Sequence, residues 1–575
     1  MADNSGAASS SSRSMNRDPL RVVFLAGADT RSTRLSIEAV CREARVQPVA
    51  VLLDNSRDSF SRRAKNLRRN VAREGIGYAV SRFFKAVRAA SDEFAFRAIV
   101  SRGDIDALLR KSFPERCFTL EDTAARYGFS VHRVGSLNGP EAIAALHECQ
   151  ADLAVVLGTR ILRPEVFSVP RLGSINLHKG KVPEYRGMPP GFWELYEGER
   201  NAGITVHFVS TKLDAGDVVG TAEVEISPLE TPESLLEKLD QEGARTLAEA
   251  VCKLQEGVAE RIPQPPVTGA ARTRPTRKEI AALRERLPHW RVPRSDFFVV
   301  LKNALYISLY FCLYRVVRAR RKRSRAAILL YHRVNDFSQD VLTVGTEMFA
   351  AHLLAIRKHY PVISSEELTR CIQNKDVIGP TSVLIHFDDA YRDVYTSGGA
   401  ILRAAGLPAA AFVSSGFVDT ERAFEHDLEK YPFQYENFRR ADLESWVREG
   451  FEIGAHTVNH VNLGTCSLEE TRFEIVESGA QLERMVGQPV KLFSFPFGKI
   501  KDIRPEATAF IREAGYSALF SAYGGFVSGD TSLWDIPRIG VSEEHLPLYL
   551  LLEIEGLTGP ALSAKFRRLV GRPKN

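Results

Sequence analysis

Between Phe297 and Arg325 the chain reads FFVVLKNALYISLYFCLYRVVRARRKRSR, and no other stretch limits the possible folds as much. Its apolar part, Phe297 to Val317, reaches the roughly 20 residues a bilayer-crossing helix needs. The chain must therefore bury this segment, lay it on a membrane or send it across. Asn303, Tyr306, Tyr310, Tyr314, Arg318 and Arg321 recur three or four residues apart and share one helical face. The opposite face carries Phe298, Leu301, Leu305, Leu309, Cys312 and Val316. Tyrosines favour the membrane–water boundary, and Arg320, Arg321, Lys322, Arg323 and Arg325 suit anionic headgroups. The pattern predicts a helix over 297–325 lying in a membrane surface, with its tyrosine and arginine stripe facing water. A buried inter-domain helix is the alternative. Lys302 and Asn303 weigh against a full span.

A segment of this kind near the middle of 575 residues leaves room for a core on either side. The net charge of +6 is modest and collects locally, in Arg62 to Arg88 and Arg315 to Arg325. Such patches suit an anionic membrane or a phosphate-bearing ligand and call for no nucleic-acid partner. The seven scattered cysteines include no CxxC, which argues against a disulfide framework and a cysteine zinc site. Residues 1–18 are polar and serine-rich, without the apolar core of a signal peptide. They read as a disordered tail on a cytoplasmic protein that is at most peripheral at the inner face of a membrane. Residues 561–575 form a basic tail.

In the first half, short apolar runs at Leu20 to Ala26, Val49 to Leu53, Ala151 to Gly158, Gly173 to Leu177 and Thr205 to Val209 alternate with helical stretches. That alternation predicts an α/β, Rossmann-like fold over 19–255. The turn GADT after the first run lacks G-x-G-x-x-G, so no dinucleotide site is read there. A basic helix is inserted near 61–90; Ile76, Val80, Phe83, Phe84 and Val87 make an apolar stripe expected to pack on its own domain, with a second membrane or partner contact as the alternative. Residues 256–296, rich in proline, arginine and threonine, read as a linker or extended tail, with a charged helix from Lys278 to Leu287.

Four motifs stand in order: Asn176-x-His178 after a strand, P-x-x-R-G at Pro183 to Gly187, V-H-F-V around His207, and L-D-x-G at Asp214. Here the chain resembles the formyltransferases that use formyl-tetrahydrofolate, namely the glycinamide ribonucleotide, methionyl-tRNA and sugar-amine enzymes. The resemblance implies formyl transfer to an amine, with Asn176, His178 and Asp214 catalytic and His207 supporting Asp214. The chemistry agrees. A tetrahedral carbon with a developing oxyanion needs preset donors, and residues two apart on a strand end point the same way.

Beyond the joint, strands again end in polar residues: Tyr331-His332, Asp388-Asp389, His456 with His460, and Pro496 to Gly498. This predicts a distorted (β/α) barrel over 326–560 whose strand ends face one cleft. Two histidines and a carboxylate gathered there suit zinc or a similar divalent metal. This half resembles the metal-dependent polysaccharide deacetylases. The resemblance implies Asp389, His456 and His460 as metal ligands and Asp388 as general base. The family's T-F-D-D-G is His386-Phe387-Asp388-Asp389-Ala390 here, and Ser494 stands where an arginine is usual. Arg538 in WDIPRIG is expected to support Asp388 instead, and His545 is the candidate general acid. Together the halves imply a bifunctional enzyme on an amino-sugar substrate, nucleotide- or lipid-linked, deacetylating and then formylating it in surface glycan or glycolipid synthesis. The alternatives are a formyltransferase fused to a deformylase, and a membrane-tethered protein with one active domain.

Overall fold

The computed structural model describes residues 18–56, 60–266, 269–290, 296–320, 324–338, 340–376, 378–379, 381–389, 391–428 and 435–558. Both expected tails, Ala390 and the basic residues Arg321, Lys322 and Arg323 lie outside them. The chain divides into two compact units, residues 1–64 with 117–287, and residues 65–116 with 288–575.

The first unit is built on a seven-stranded sheet: β1 (Leu20–Ala26), β2 (Val46–Asp54), β3 (Ser130–Val134), β4 (Leu153–Leu157), β5 (Ser174–His178), β6 (Asn201–Phe208) and β7 (Val218–Glu225), in the order β3-β2-β1-β4-β5-β6-β7. The pairs from β3 to β5 are parallel and the last two antiparallel. Parallel strands covered on both faces need continuous apolar runs, and LRVVFLA and LAVVL are buried nearly throughout. Strand order reverses direction between β1 and β4, which opens a crevice at their carboxyl ends. A Cβ on Gly27, just after β1, would lie 2.1 Å from the Gly158 carbonyl oxygen just after β4, so the two loops pass closely there. Residues after Gly257 lie along this unit: Ile262 bridges Val218, Arg272 bridges Gly187, and a helix forms at Arg277–Arg286.

The second unit is a parallel sheet of β8 (Arg325–Tyr331), β11 (Thr381–Phe387), β12 (Ala410–Val413), β13 (Glu452–Ala455), β14 (Leu492–Ser494), β15 (Ala518–Phe520) and β16 (Ile539–Gly540), in the order β15-β14-β13-β12-β11-β8-β16. A small ribbon, β9 (Arg333–Val334) with β10 (Thr343–Val344), stands apart. The ring closes through one segment: Ile536 bridges Phe520 of β15, and three residues later β16 pairs with β8. The distorted barrel is thus completed by the stretch that contains Arg538.

Two expectations change here. The inserted region, from Lys65 on, belongs with the second unit. Its Ile76–Arg97 helix lies against the joint helix, Asp296–Leu309, and its Arg102–Ser112 helix lies against Thr346–His359 of the second unit. The joint also turns the other face outward. Buried Asn303 donates to Ser91 Oγ at 2.8 Å and Asp92 Oδ1 at 2.6 Å, Tyr306 packs edge-on against Tyr549, and Tyr314 shares a hydrogen bond with Tyr360 at 3.0 Å. Arg318 donates to the His359 carbonyl. This face meets protein through the Asn303 amide N–H, the Tyr314 hydroxyl and the ring of Tyr306, and a desolvated polar group requires such partners.

The Pro547–Ile554 helix packs against both of these helices. Within it, burial pushes the Glu553 carboxyl from 4.5 up to about 7. Such a group's contribution to stability is full below its unfolded value and is lost as pH rises through about 7, because the folded state then gives up a proton it prefers to keep. Glu553→Gln is therefore expected to melt later than the parent at pH 8 and alike at pH 4. A thermal melt series showing the same offset at both values would sink this.

Candidate active sites

In the first unit, antiparallel pairing sets Asn176 of β5 directly opposite His207 of β6. The His207 ring donates from Nδ1 to the Phe208 carbonyl at 2.8 Å, which leaves Nε2 to accept from Asn176 Nδ2 at 3.3 Å. Burial lowers the His207 pKa and keeps this acceptor neutral. Asp214, in a left-handed turn at φ 50°, places Oδ1 3.7 Å from His207 Nε2 and Oδ2 3.7 Å from His178 Nδ1. Its Oδ2 also accepts from the Gly187 amide at 3.2 Å. Buried Arg186 ties the same loops together, donating to the carbonyls of Leu213 and Gly269. A Cβ at Gly187 would meet the Arg272 carbonyl at 2.2 Å, and one at Gly216 the Phe208 carbonyl at 1.9 Å. Those two glycines are steric requirements of the turns that carry the site.

Asn176, His178, His207 and Asp214 converge on one cavity of about 510 Å³, walled on its other sides by Leu157, Ile161 and Leu162. His178 is oriented differently from the simplest expectation. Its Nε2 donates to the Tyr185 carbonyl at 2.8 Å, so Nδ1 is the ring atom beside Asp214. The imidazole offers a proton from that side only when charged. Asn176 is the donor held ready in either state.

In the second unit the expected residues also meet. His460 Nε2 lies 3.0 Å and His456 Nε2 3.5 Å from Asp389 Oδ1, and these three side chains can present one ligand atom each within 4.8 Å of one another. His456 donates from Nδ1 to the Ser494 carbonyl at 2.9 Å, the outer-shell bond that aims Nε2 at a metal. Backbone geometry is spent on the arrangement: Asp389, Thr457 and His460 have φ of 84°, 64° and 56°. Glu474 holds the histidine loop by accepting from the amides of Val458 and Asn459 at 2.7 and 2.8 Å. A two-imidazole, one-carboxylate donor set with outer bonds in place fits a divalent cation.

Asp388 accepts a fork from Arg538, Nη1 to Oδ1 at 2.7 Å and Nη2 to Oδ2 at 2.6 Å, and Arg538 Nη2 also donates to Ser494 Oγ at 2.6 Å. Burial alone would raise the Asp388 carboxyl, but Arg538 and then His456 overcome it and hold it below the ordinary carboxylate range. His460 and His456 do the same for Asp389. Ser494, where an arginine is usual, leaves the space that Arg538 fills from the closing segment. His386 is a neutral core residue, packed on Phe412 and Phe520 and bonded to Ser365 at 3.1 Å.

His545 falls elsewhere. It accepts from the Ser542 amide at 3.1 Å, the charges beside it are Lys302 and Glu544, and no described contact joins it to Asp388, Asp389, His456 or His460. Two other histidines stand at the site. His426 Nε2 is 3.8 Å from Asp389 Oδ2 and 3.0 Å from Tyr391 Oη, with its ring 5.5 Å from that of His460. His332 has Asp389 and Asp388 as its charged neighbours. The strand-end position of His332 was visible in sequence; His426, in the short helix Glu425–Leu428 whose sequence has no distinct pattern, was not.

Removing one partner of a buried ion pair typically costs about 3–5 kcal/mol. Arg538→Met is expected to lower the second unit's unfolding free energy by that order in urea titration. Asp388→Asn with Arg538→Met should cost clearly less than the sum of the single changes; simple additivity would show that the two side chains are not coupled.

A family model described as formyl transferase matches residues 104–251, and one described as polysaccharide deacetylase matches residues 376–519. The methionyl-tRNA formyltransferase of Bacteroides fragilis is 36% identical over 142 residues, 25% of this chain and 44% of that protein. That of Synechococcus sp. is 37% identical over 143 residues, 24% and 44%. The chain thus spans less than half the length of these curated relatives. Among solved structures, the deacetylase PplD of Streptococcus pyogenes in complex with acetate is 21% identical with a TM-score of 0.36, covering 40% of this chain and 99% of that one. Glycinamide ribonucleotide transformylase 1 from Symbiobacterium toebii is 17% identical with a TM-score of 0.29, covering 43% and 94%. With one family model on either side of the joint, the chain is a fusion of a formyl transferase domain and a polysaccharide deacetylase domain.

Proposed function

We propose that the protein is a bifunctional amino-sugar enzyme that hydrolyses a small N-acyl group, acetyl first among the candidates, and formylates the amine so released. The observation that carries this is the pairing itself: one constellation is suited to freeing an amine, the other to capping one. In the hydrolytic site, Asp388 takes the proton of an attacking water while Arg538 fixes the direction of its carboxylate. A divalent cation, zinc by the donor set, bound by Asp389, His456 and His460 would supply Lewis-acid polarisation of the amide carbonyl.

In the transfer site the amine attacks the formyl carbon of formyl-tetrahydrofolate, the cosubstrate that the apolar-walled cavity would seat. Asn176 Nδ2 donates to the developing oxyanion, charged His178 adds to it, and Asp214 receives the amine proton; as the tetrahedral carbon collapses, its bond to the folate nitrogen breaks and tetrahydrofolate leaves with a proton on that nitrogen. His207 holds Asn176 in orientation. A donor of this kind sets the chemistry in the cytoplasm, and one chain carrying both activities raises the effective concentration of the intermediate.

Mass spectrometry of an N-acetyl amino sugar, free and lipid-linked, incubated with protein, zinc and formyl-tetrahydrofolate tests the scheme. Replacement of acetyl by formyl is the expected product. Release of formate from an N-formyl sugar, with the N-acetyl compound untouched, would overturn the order and make the second domain a deformylase.

A further inference from the structure

The face that the joint turns outward is apolar along its length. Phe298, Leu301, Leu305 and Phe311 are 63, 59, 55 and 58% exposed, and Ala304, Ser308 and Cys312 lie between them on the same side. The neighbouring Ile76–Arg97 helix runs beside it in the same direction and adds exposed Ile76, Val80, Phe83 and Phe94. The two stripes are joined at both ends by rings. Phe83 meets Phe84, Phe84 meets Phe297 and Phe297 meets Phe298 at centroid distances of 5.5, 5.2 and 5.4 Å, and Phe94 meets Phe311 at 6.1 Å. Segments about two hundred residues apart in sequence thus make one continuous hydrophobic surface. Contiguous patches of this kind on soluble proteins mark interaction sites.

The charge around the patch is mainly positive, and acidic neighbours are ion-paired: Asp92 and Asp296 with Arg88, Glu93 with Arg97, and Glu544 with Lys302. Lys65, Arg68, Arg69, Arg82, Lys85 and Arg315 are exposed, and between residues 65 and 88 the one acidic residue, Glu74, is paired with Arg73. A second copy of the chain docked by its own identical face would bring these cations against each other, because a two-fold interface apposes like with like. Anionic headgroups would neutralise them. The joint is also fastened lengthwise to its own unit by Asn303, Tyr306, Tyr314 and Arg318, so its apolar side reaches a bilayer by lying along it.

We infer that the paired helices Ile76–Arg97 and Asp296–Leu309 form a monotopic docking surface for anionic lipid bilayers, with the apolar face at the acyl boundary and the flanking arginines and lysines among the headgroups.

Vesicle co-sedimentation of the full chain tests this, with phosphatidylcholine alone against phosphatidylcholine with about 30% phosphatidylglycerol. Each cation near an anionic surface is worth about fivefold in partition, so binding to the anionic vesicles should be at least tenfold stronger and should weaken between about 0.1 and 0.5 M salt. Lys65→Gln with Arg68→Gln and Arg69→Gln should remove that preference while sparing the circular dichroism spectrum. Leu301→Ser with Leu305→Ser should lower partition at least tenfold on both vesicles. No binding by the parent protein, or binding indifferent to lipid charge, would overturn the inference. So would a lipid-free dimer that Leu301→Ser with Leu305→Ser turns into monomer, for the face would then belong to a second copy.

Discussion

Asp388→Asn is expected to abolish amide hydrolysis, with kcat falling about 10²–10⁴-fold, the usual share of a positioned general base. Asparagine keeps the shape and one acceptor for Arg538 but cannot take a proton from water. Removing the carboxylate also leaves the buried Arg538 guanidinium without its counter-charge, so part of any loss in the single variant could be structural. The pair Asp388→Asn with Arg538→Met removes both charges and separates the effects. It should fold, retain divalent metal by elemental analysis through Asp389, His456 and His460, and still release no acetate. Substantial hydrolysis by the double variant would exclude Asp388 as the base.

The second large effect is expected from Asn176→Ala. Losing one preset oxyanion donor costs about 10²–10³-fold in kcat, roughly 2.7–4 kcal/mol of barrier, while KM for the formyl donor should change little because the apolar walls at Leu157, Ile161 and Leu162 are untouched. Since Asn176 is not part of the hydrolytic unit, deacylation should continue and free amine should accumulate. His207→Asn is a useful companion. It removes the acceptor that orients Asn176 without removing the donor, so its kcat should fall less. Equal losses in both variants would mean that His207 acts on substrate directly.

Much of this was legible in the linear chain, for a physical reason. Strand-end motifs are local: N-x-H puts Asn176 and His178 on one side of β5, because alternation along a strand sets the side, and Asp388-Asp389 directly follows the apolar β11, whereas Asp214 reaches the site from a turn. The apolar runs of β1, β4, β8 and β11 had to be buried parallel strands for the same reason. Arg538 comes to stand beside Asp388 because its segment closes the barrel there.

What the sequence could not decide depended on partners far along the chain. Periodicity marked two faces on the joint helix but not which one would meet protein. That choice fell to Ser91, Asp92, Tyr360 and Tyr549, which contact Asn303, Tyr314 and Tyr306 and leave Phe298, Leu301, Leu305 and Phe311 outward. The stripe on the Ile76–Arg97 helix likewise marked an apolar face, without showing that the helix belongs with the second unit or that Ile76, Val80 and Phe83 stay exposed. His545 and His426 make the same point at the site. A histidine's type suggests acid–base chemistry, but only the tertiary fold decides which ring comes to stand beside Asp389.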